Sequence, residues 1–178
     1  MAHLTGTGVL ALTDEQVAQL RKYMDDGGML IVDAAGGNEA FARSFEALVP
    51  KLAPGMKLQA LPLNHPIYNG AIAGSVKMTA ADYRKVTLAT QGHLVAPRLR
   101  ACMDEFGRPR LVYSVDDLTC GILGINTWGV FGYDCPSAKA LMRNLLLYAA
   151  HDGRTPATGP SIKMDSPARP AALGPQAH

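Results

Sequence analysis

The amino-acid sequence predicts an α/β domain with a mainly parallel β-sheet. Residues 13–26 have the pattern of an amphipathic helix, which Gly27 and Gly28 end. A short continuous apolar run, residues 29–33, follows at once, as in a parallel strand covered on both faces. A second helical pattern begins after Asn38. Strands and helices therefore alternate in the order that produces parallel pairing.

The ends of these helices have their own local signals. Thr13, with Gln16 three residues later, is a capping-box pattern. The Asn38 side chain is suited to cap the second helix, which we expect to be broken at Pro50 because proline has no N–H to donate. Residues 136–151 form the clearest helix of the chain, with apolar side chains recurring on one face.

The remaining segments predict a hairpin and a long excursion. Residues 98–103 and 110–115 have the pattern of two strands joined by a turn, and residues 58–63 are predicted as a further strand. Residues 64–97 contain scattered glycine and proline among short apolar pieces. We expect this stretch to be a surface excursion with one or two short strands.

Composition limits the class of protein and its organisation. The chain has 178 residues, of which 48% are hydrophobic and 18% charged, with a net charge of +2. These values favour one globular domain and argue against general disorder, a membrane-spanning helix or a nucleic-acid partner. We predict an ordered domain over residues 1–152. Five prolines among small and polar residues predict a disordered tail over 153–178 that is dispensable for folding.

The three cysteines leave two alternatives open. An odd number means that at least one thiol is free or pairs with another chain. Cys120 and Cys135 lie on either side of a glycine-rich stretch and are candidates for a disulfide. The alternative is that both are buried or idle thiols, as expected for Cys102.

Several spaced segments resemble one known family. The segments that carry the resemblance are 4–8, 12–16, 20–23, 27–37, 64–68 and 113–118. They resemble an uncharacterised bacterial domain-of-unknown-function family with the class I glutamine-amidotransferase-like fold, over about residues 2–151. The resemblance implies a three-layer flavodoxin-like domain. It also implies an extracytoplasmic or membrane-associated parent protein, a compartment that the residues themselves do not indicate.

The beginning of the chain departs from the pattern of that family. The fold normally starts with one or two βα units before the strand that ends near Thr5 and Gly6, whereas this chain opens almost on that strand. We therefore expect an N-terminally truncated domain, a fragment of a longer one. The exposed sheet edge would then need a cover, for which a second copy of the chain is one alternative.

The carboxyl ends of the predicted parallel strands are the expected site, because loops and helix N-termini converge there. The candidate ligand-binding residues are Thr7, Gly36, Gly37, Asn38, Ser114 and Asp116. The two glycines would let backbone N–H groups approach a small polar ligand. The alternative is that they only make a tight turn before a capped helix. No nucleotide-binding or metal-ligand motif is completed, so we expect no cofactor and no metal.

Three residues are candidates for catalysis at the same edge. Asp33 and Asp117 end predicted strands, and His65 precedes a proline in an extended segment. Converging carboxylates would share a proton or hold a cation, but Asp at a strand end more often caps or forms a turn. We expect an enzyme only if the three side chains meet in one pocket.

The chemistry of an amidotransferase requires a cysteine at the turn after residues 29–32, where a thiolate would attack an amide. The chain has Asp33 there instead, and Cys120 lies in a different loop. The aromatic residues Trp128, Phe131 and Tyr133 follow in that loop. They are candidates for stacking on a ligand, or for covering the core.

The sequence therefore favours a non-catalytic module that binds a small polar ligand or other subunits within a larger, envelope-associated bacterial protein. The alternative is a hydrolase for a small polar or glycan-related substrate that uses Asp33, His65 and Asp117.

Overall fold

The computed structural model describes residues 1–125 and 127–151, so the predicted tail lies outside the described residues. The strands are β1 (Ala2–Gly6), β2 (Leu30–Ala34), β3 (Gln59–Ala60), β4 (Arg100–Met103) and β5 (Pro109–Ser114). The helices are α1 (Asp14–Asp25), α2 (Glu39–Leu52), α3 (Pro66–Asn69), α4 (Lys85–Gln91), α5 (Thr119–Ile122) and α6 (Cys135–Ala150). None of these helices is long and apolar enough to cross a membrane.

The five strands form one sheet in the order β1-β2-β5-β4-β3. Strands β1, β2 and β5 are parallel, and β4 pairs antiparallel with both β5 and β3. The predicted α/β class and the hairpin are confirmed, whereas the sheet that was predicted to be mainly parallel has two parallel and two antiparallel pairings. In the register of β2 and β5, Asp33 lies opposite Ser114. The chain segments that leave these two strands therefore start side by side.

Alternate residues of β2 enter two different hydrophobic cores. Leu30 and Val32 pack with buried side chains of α1 and α2, among them Phe41. Ile31 packs on the opposite face with side chains of α3 and α6, among them Leu145. Both faces of β2 are thus covered by helices, which explains why residues 30–32 are all apolar.

The excursion over residues 64–97 differs from the prediction, since it contains the short helices α3 and α4 rather than strands. Its extended structure is limited to an isolated bridge between Tyr83 and Tyr133. The buried Asn144 side chain of α6 fixes part of this segment by donating to the carbonyl oxygens of Ile67 and Val76 and accepting from the Val76 amide. Tertiary hydrogen bonds of this kind determine the path and leave no periodic pattern in the sequence.

Helix α2 continues past Pro50 to Leu52, where the sequence predicted a break. Proline removes one backbone donor and costs a helix interior about 3 kcal/mol. The proline lies in the last turn, however, and Val49 and Leu52 on either side of it are buried in the core. Packing of those side chains offsets the lost hydrogen bond.

All three cysteines are free thiols. Cys102 is fully buried on β4, and burial raises the pKa of its thiol to about 11. Cys120 and Cys135 are partly exposed. The structure therefore agrees with the second alternative, unpaired thiols, rather than with a disulfide between Cys120 and Cys135.

We predict that a thiol titration of the unreduced, unfolded protein finds three free thiols. In the native protein, Cys102 should resist a neutral-pH thiol reagent because its sulfur is buried and protonated. A Cys102→Ser variant is the control, since it should leave the number of thiols that react in the native state unchanged. A count of one in the unfolded protein would mean that Cys120 and Cys135 are bridged.

Candidate functional site

Asp33 joins β2 to the segment that follows β5. Its carboxylate is fully buried, and Oδ2 accepts hydrogen bonds from the backbone amides of Leu118 and Thr119, both at 3.0 Å. Oδ1 accepts from the Thr119 hydroxyl at 3.0 Å and contacts Nε2 of His3 at 2.6 Å. Burial favours the neutral acid, but the hydrogen bonds from His3 and the two amides outweigh it. The pKa of Asp33 therefore lies below its ordinary value.

His3 is the residue of this cluster that the sequence did not reveal. It lies on β1, with 28% of its side chain exposed. The register pairs Thr5 with Asp33 across β1 and β2, so His3 and Thr5 point to the same face as the carboxylate. The missing signal was the pairing register, since His3 has no ligand spacing to any other histidine.

Asp117 fixes the other side of the same segment. Its buried Oδ1 accepts from the amides of Gly36 and Cys120, at 2.8 Å and 3.1 Å, and Oδ2 accepts from the Gly121 amide at 3.1 Å. The guanidinium Nη2 of Arg84 lies 3.8 Å from Oδ2. Asp117 thereby starts helix α5 and ties it to the turn after β2.

The two glycines that were predicted to approach a ligand pack against another part of the chain instead. Gly36 and Gly37 have φ angles of +69° and +67°, which favour glycine. The Gly36 carbonyl accepts from the Phe131 amide at 3.0 Å. A Cβ at Gly37 would lie 2.6 Å from the Phe131 carbonyl oxygen. This turn is therefore packed against residue 131, and Asn38 beyond it caps α2 through a 2.9 Å bond from the Phe41 amide.

Ser114 and Asp116 are likewise engaged within the chain. The Ser114 hydroxyl donates to the Asp116 carbonyl at 2.7 Å. The Asp116 carboxylate is 2% exposed and accepts two bonds from Arg98, at 2.6 Å and 3.0 Å. Thr7, the last predicted ligand-binding residue, lies in the exposed loop after β1.

His65 does not join the carboxylates. Its Nδ1 accepts from the Ile67 amide at 3.2 Å and so caps α3, and its ring centroid lies 5.2 Å from that of Tyr148. Tyr148 borders a small cavity with Met29 and Pro109, which lie where β2 and β5 begin. His65 therefore lies toward the amino end of the strands, whereas Asp33 and Asp117 lie at the carboxyl end. Burial lowers the pKa of His65 to about 4.

Cys120, at the same edge of the sheet, is not an activated nucleophile. Burial and the neighbouring Asp117 carboxylate raise the pKa of the Cys120 thiol, so it is protonated at neutral pH. Within residues 1–125 and 127–151, no group of three or more histidine, cysteine or acidic side chains could hold a metal ion.

An open groove of about 630 Å³ lies beside this network, between the N-terminal ends of α4 and α6 and the segment around Thr127. Trp128 and Tyr133, two of the aromatic residues predicted to contact a ligand or cover the core, differ in their burial. Tyr133 is fully buried, and its ring packs tilted against that of Tyr83, at 4.7 Å between ring centroids. Trp128, by contrast, is 89% exposed at the groove. It does not cover the core, which leaves its ring available to a ligand or partner.

We predict that Asp33→Ala lowers the free energy of unfolding by about 3 kcal/mol, because the buried amides of Leu118 and Thr119 lose their acceptor. Asp25→Ala is the matched control. Asp25 is exposed on α1, so its replacement should stay within about 0.5 kcal/mol of wild type. Chemical denaturation measures both. An unchanged or increased stability of Asp33→Ala would show instead that Asp33 is held in a strained binding site.

We predict that His65 makes the protein less stable as pH falls. Its folded pKa, about 4, lies below the ordinary 6.5, so the unfolded chain takes up the proton first. The stabilisation is complete above about pH 6.5 and is lost toward pH 4. Asp33 changes the stability only at a lower pH than His65 does, because its pKa lies below the ordinary value of 3.8.

The comparison variant is His65→Asn, which retains an acceptor for the Ile67 amide but does not titrate. Its thermal midpoint should fall less between pH 7 and pH 5 than that of wild type. Equal falls in the two proteins would contradict the assignment.

Comparison with known proteins places the chain in a family. A family model described as Domain of unknown function (DUF4159) matches residues 1–122. The match includes Asp33, Arg84 and Asp117 and ends before Trp128. No curated protein matches the chain. Because the matched region is well over half of the 178 residues, the chain belongs to the DUF4159 family.

Proposed function

We propose that this domain is a non-catalytic ligand-binding module of a larger, envelope-associated bacterial protein, with a flavodoxin-like, class I amidotransferase-like fold. The observation that carries the proposal is the state of Asp33 and Asp117. Both carboxylates are buried, and both oxygens of each accept hydrogen bonds from the chain itself. A catalytic acid or base must instead present a free oxygen to the substrate.

The hydrolase alternative is less well supported by the same geometry. It requires Asp33, His65 and Asp117 in one pocket. Both carboxylates accept hydrogen bonds from amides of residues 118–121, while His65 packs against Tyr148 near the start of the strands. Of the three side chains that catalysis would need together, only Asp33 and Asp117 therefore lie close to each other, and both are bonded to the backbone.

The groove beside Trp128 is the surface that supports binding. Its volume of about 630 Å³ is within the range of small-molecule sites. An aromatic ring exposed to 89% contributes little to the core but gains from burial by a ligand. The contacts of Arg84 with Asp117 and with the Tyr133 carbonyl connect the groove to the rigid edge of the sheet.

A different part of the fold, the edge strand β1, is available for assembly with a parent protein. Strand β1 is at the end of the sheet order and, within the described residues, pairs with β2 alone. We propose that another subunit extends the sheet at β1.

The test is a thermal-shift screen against neutral and acidic sugars, nucleotides, short peptides and divalent cations, using three proteins. Wild type should be stabilised by at least one compound. Trp128→Ala should keep the wild-type midpoint without ligand, because the side chain is exposed, and lose the response. Asp33→Asn should melt lower and keep the response.

Two results would contradict the proposal. A response that Asp33→Asn loses and Trp128→Ala keeps would place the ligand on the strand ends. Turnover of a bound compound by wild type, abolished in Asp33→Asn, would make the domain an enzyme.

A further inference from the structure

Arg84 is a nearly buried cation in the wall of the groove. Its side chain is 9% exposed, and its Nε donates to the Tyr133 carbonyl at 3.2 Å. The Asp117 carboxylate lies behind it, with Nη2 at 3.8 Å, which is too long for a hydrogen bond. Within the described part of the chain, the terminal nitrogens of Arg84 make no hydrogen bond. The guanidinium is thus fixed in place and its terminal donors are unused.

The other charged groups of the groove give it both a cation and an acceptor. Lys85, next in the chain, is exposed. Asp134 lies in the same wall, where Oδ1 caps α6 by accepting from the Ser137 amide at 2.8 Å. Its second oxygen has no hydrogen bond within the described residues and would accept from a hydroxyl. The groove therefore offers a fixed guanidinium, an amine and a carboxylate oxygen.

A fixed guanidinium with free terminal N–H groups suits a planar carboxylate, which accepts two parallel hydrogen bonds. The Asp117 carboxylate behind Arg84 already accepts hydrogen bonds from three backbone amides. A ligand carboxylate would therefore complete the coordination of Arg84 without taking it from an essential partner.

Trp128 adds a flat aromatic surface to a groove that Val86, Ile125 and Pro136 also line with apolar atoms. A nucleobase stacks flat on an aromatic side chain and presents ring nitrogens and exocyclic groups, rather than hydroxyls, at its edge. A pyranose ring differs, because it stacks its C–H face on one aromatic ring and presents hydroxyls around its edge. One exposed ring, together with Thr127 and Asp134 as hydroxyl partners, matches the second pattern.

We infer that the groove binds a saccharide that carries a carboxylate, with the carboxylate on Arg84 and Lys85 and a sugar ring on Trp128. This inference rests on the proposed binding function and specifies its ligand class. It makes no use of Asp33 or Asp117 as ligand contacts. A uronic-acid-containing oligosaccharide is the simplest molecule with this chemistry.

The sequence supplies a direct probe, because Trp128 is its single tryptophan. Titration of the full chain with cellobiouronic acid should give a saturable change in Trp128 emission. Cellobiose, which lacks only the carboxylate, should bind at least about tenfold more weakly. Glucose 6-phosphate and AMP test whether a phosphate or a base replaces the uronic acid. Calorimetry on the same compounds detects any binding that leaves the emission unchanged.

Two variants assign the contacts. Arg84→Lys keeps the charge but removes the fork, and should weaken cellobiouronic acid binding about tenfold. Lys85→Gln is the second variant, in case Arg84→Lys disturbs folding at the buried arginine. Because Lys85 is exposed, Lys85→Gln should weaken binding severalfold with an unchanged thermal midpoint. Lys51→Gln, on α2 at the other face of the sheet, is the charge-matched control and should bind as wild type does.

Four results would overturn the inference. Equal binding of cellobiose and cellobiouronic acid would remove the role of the carboxylate. Tighter binding of AMP or glucose 6-phosphate would change the ligand class. If neither disaccharide binds while another compound of the thermal-shift screen acts through Trp128, the saccharide assignment fails and the binding module stands. If no compound acts on wild type, both fail.

Discussion

The structure depends on two buried carboxylates at the carboxyl edge of the sheet. Asp33 ends β2 and Asp117 follows β5, and between them they accept hydrogen bonds from five backbone amides. Taking two carboxylates out of water is costly, so each must be fully hydrogen-bonded to persist. That requirement determines the path of the chain from β5 into α5 and closes the turn at Gly36. The parallel pairing of β2 with β5 makes the arrangement possible.

This use of the carboxylates has a consequence for function. In open α/β sheets the carboxyl edge is where ligands usually bind, and here hydrogen bonds within the chain occupy it. The groove that we propose for ligand binding lies instead between the N-terminal ends of α4 and α6, where Trp128 is exposed. Arg84 belongs to both regions, since it contacts Asp117 and lines the groove. A ligand at Arg84 would thus rest on the most firmly held part of the domain.

The sequence predicts those elements whose causes are local. The capping box at Thr13 and the cap at Asn38 begin α1 and α2 as predicted, and the position of Asp33 beside the segment after β5 follows from strand order. Features that depend on distant partners could not be predicted. His3 matters only through the register of β1 with β2. Trp128 and Tyr133 lie in the same glycine-rich stretch of the sequence, yet the structure exposes Trp128 and buries Tyr133.

Hydrogen exchange of individual backbone amides, followed by NMR in the native protein, tests most directly whether the carboxylates hold this edge together. The amides of Gly36, Leu118, Thr119, Cys120 and Gly121 are those bonded to Asp33 and Asp117. They lie in a turn, a loop and a short helix that would otherwise exchange quickly. We expect these amides to be protected as strongly as those of the central strands β2 and β5. If they exchange as fast as the exposed loop after β1, the two carboxylates do not hold this edge together.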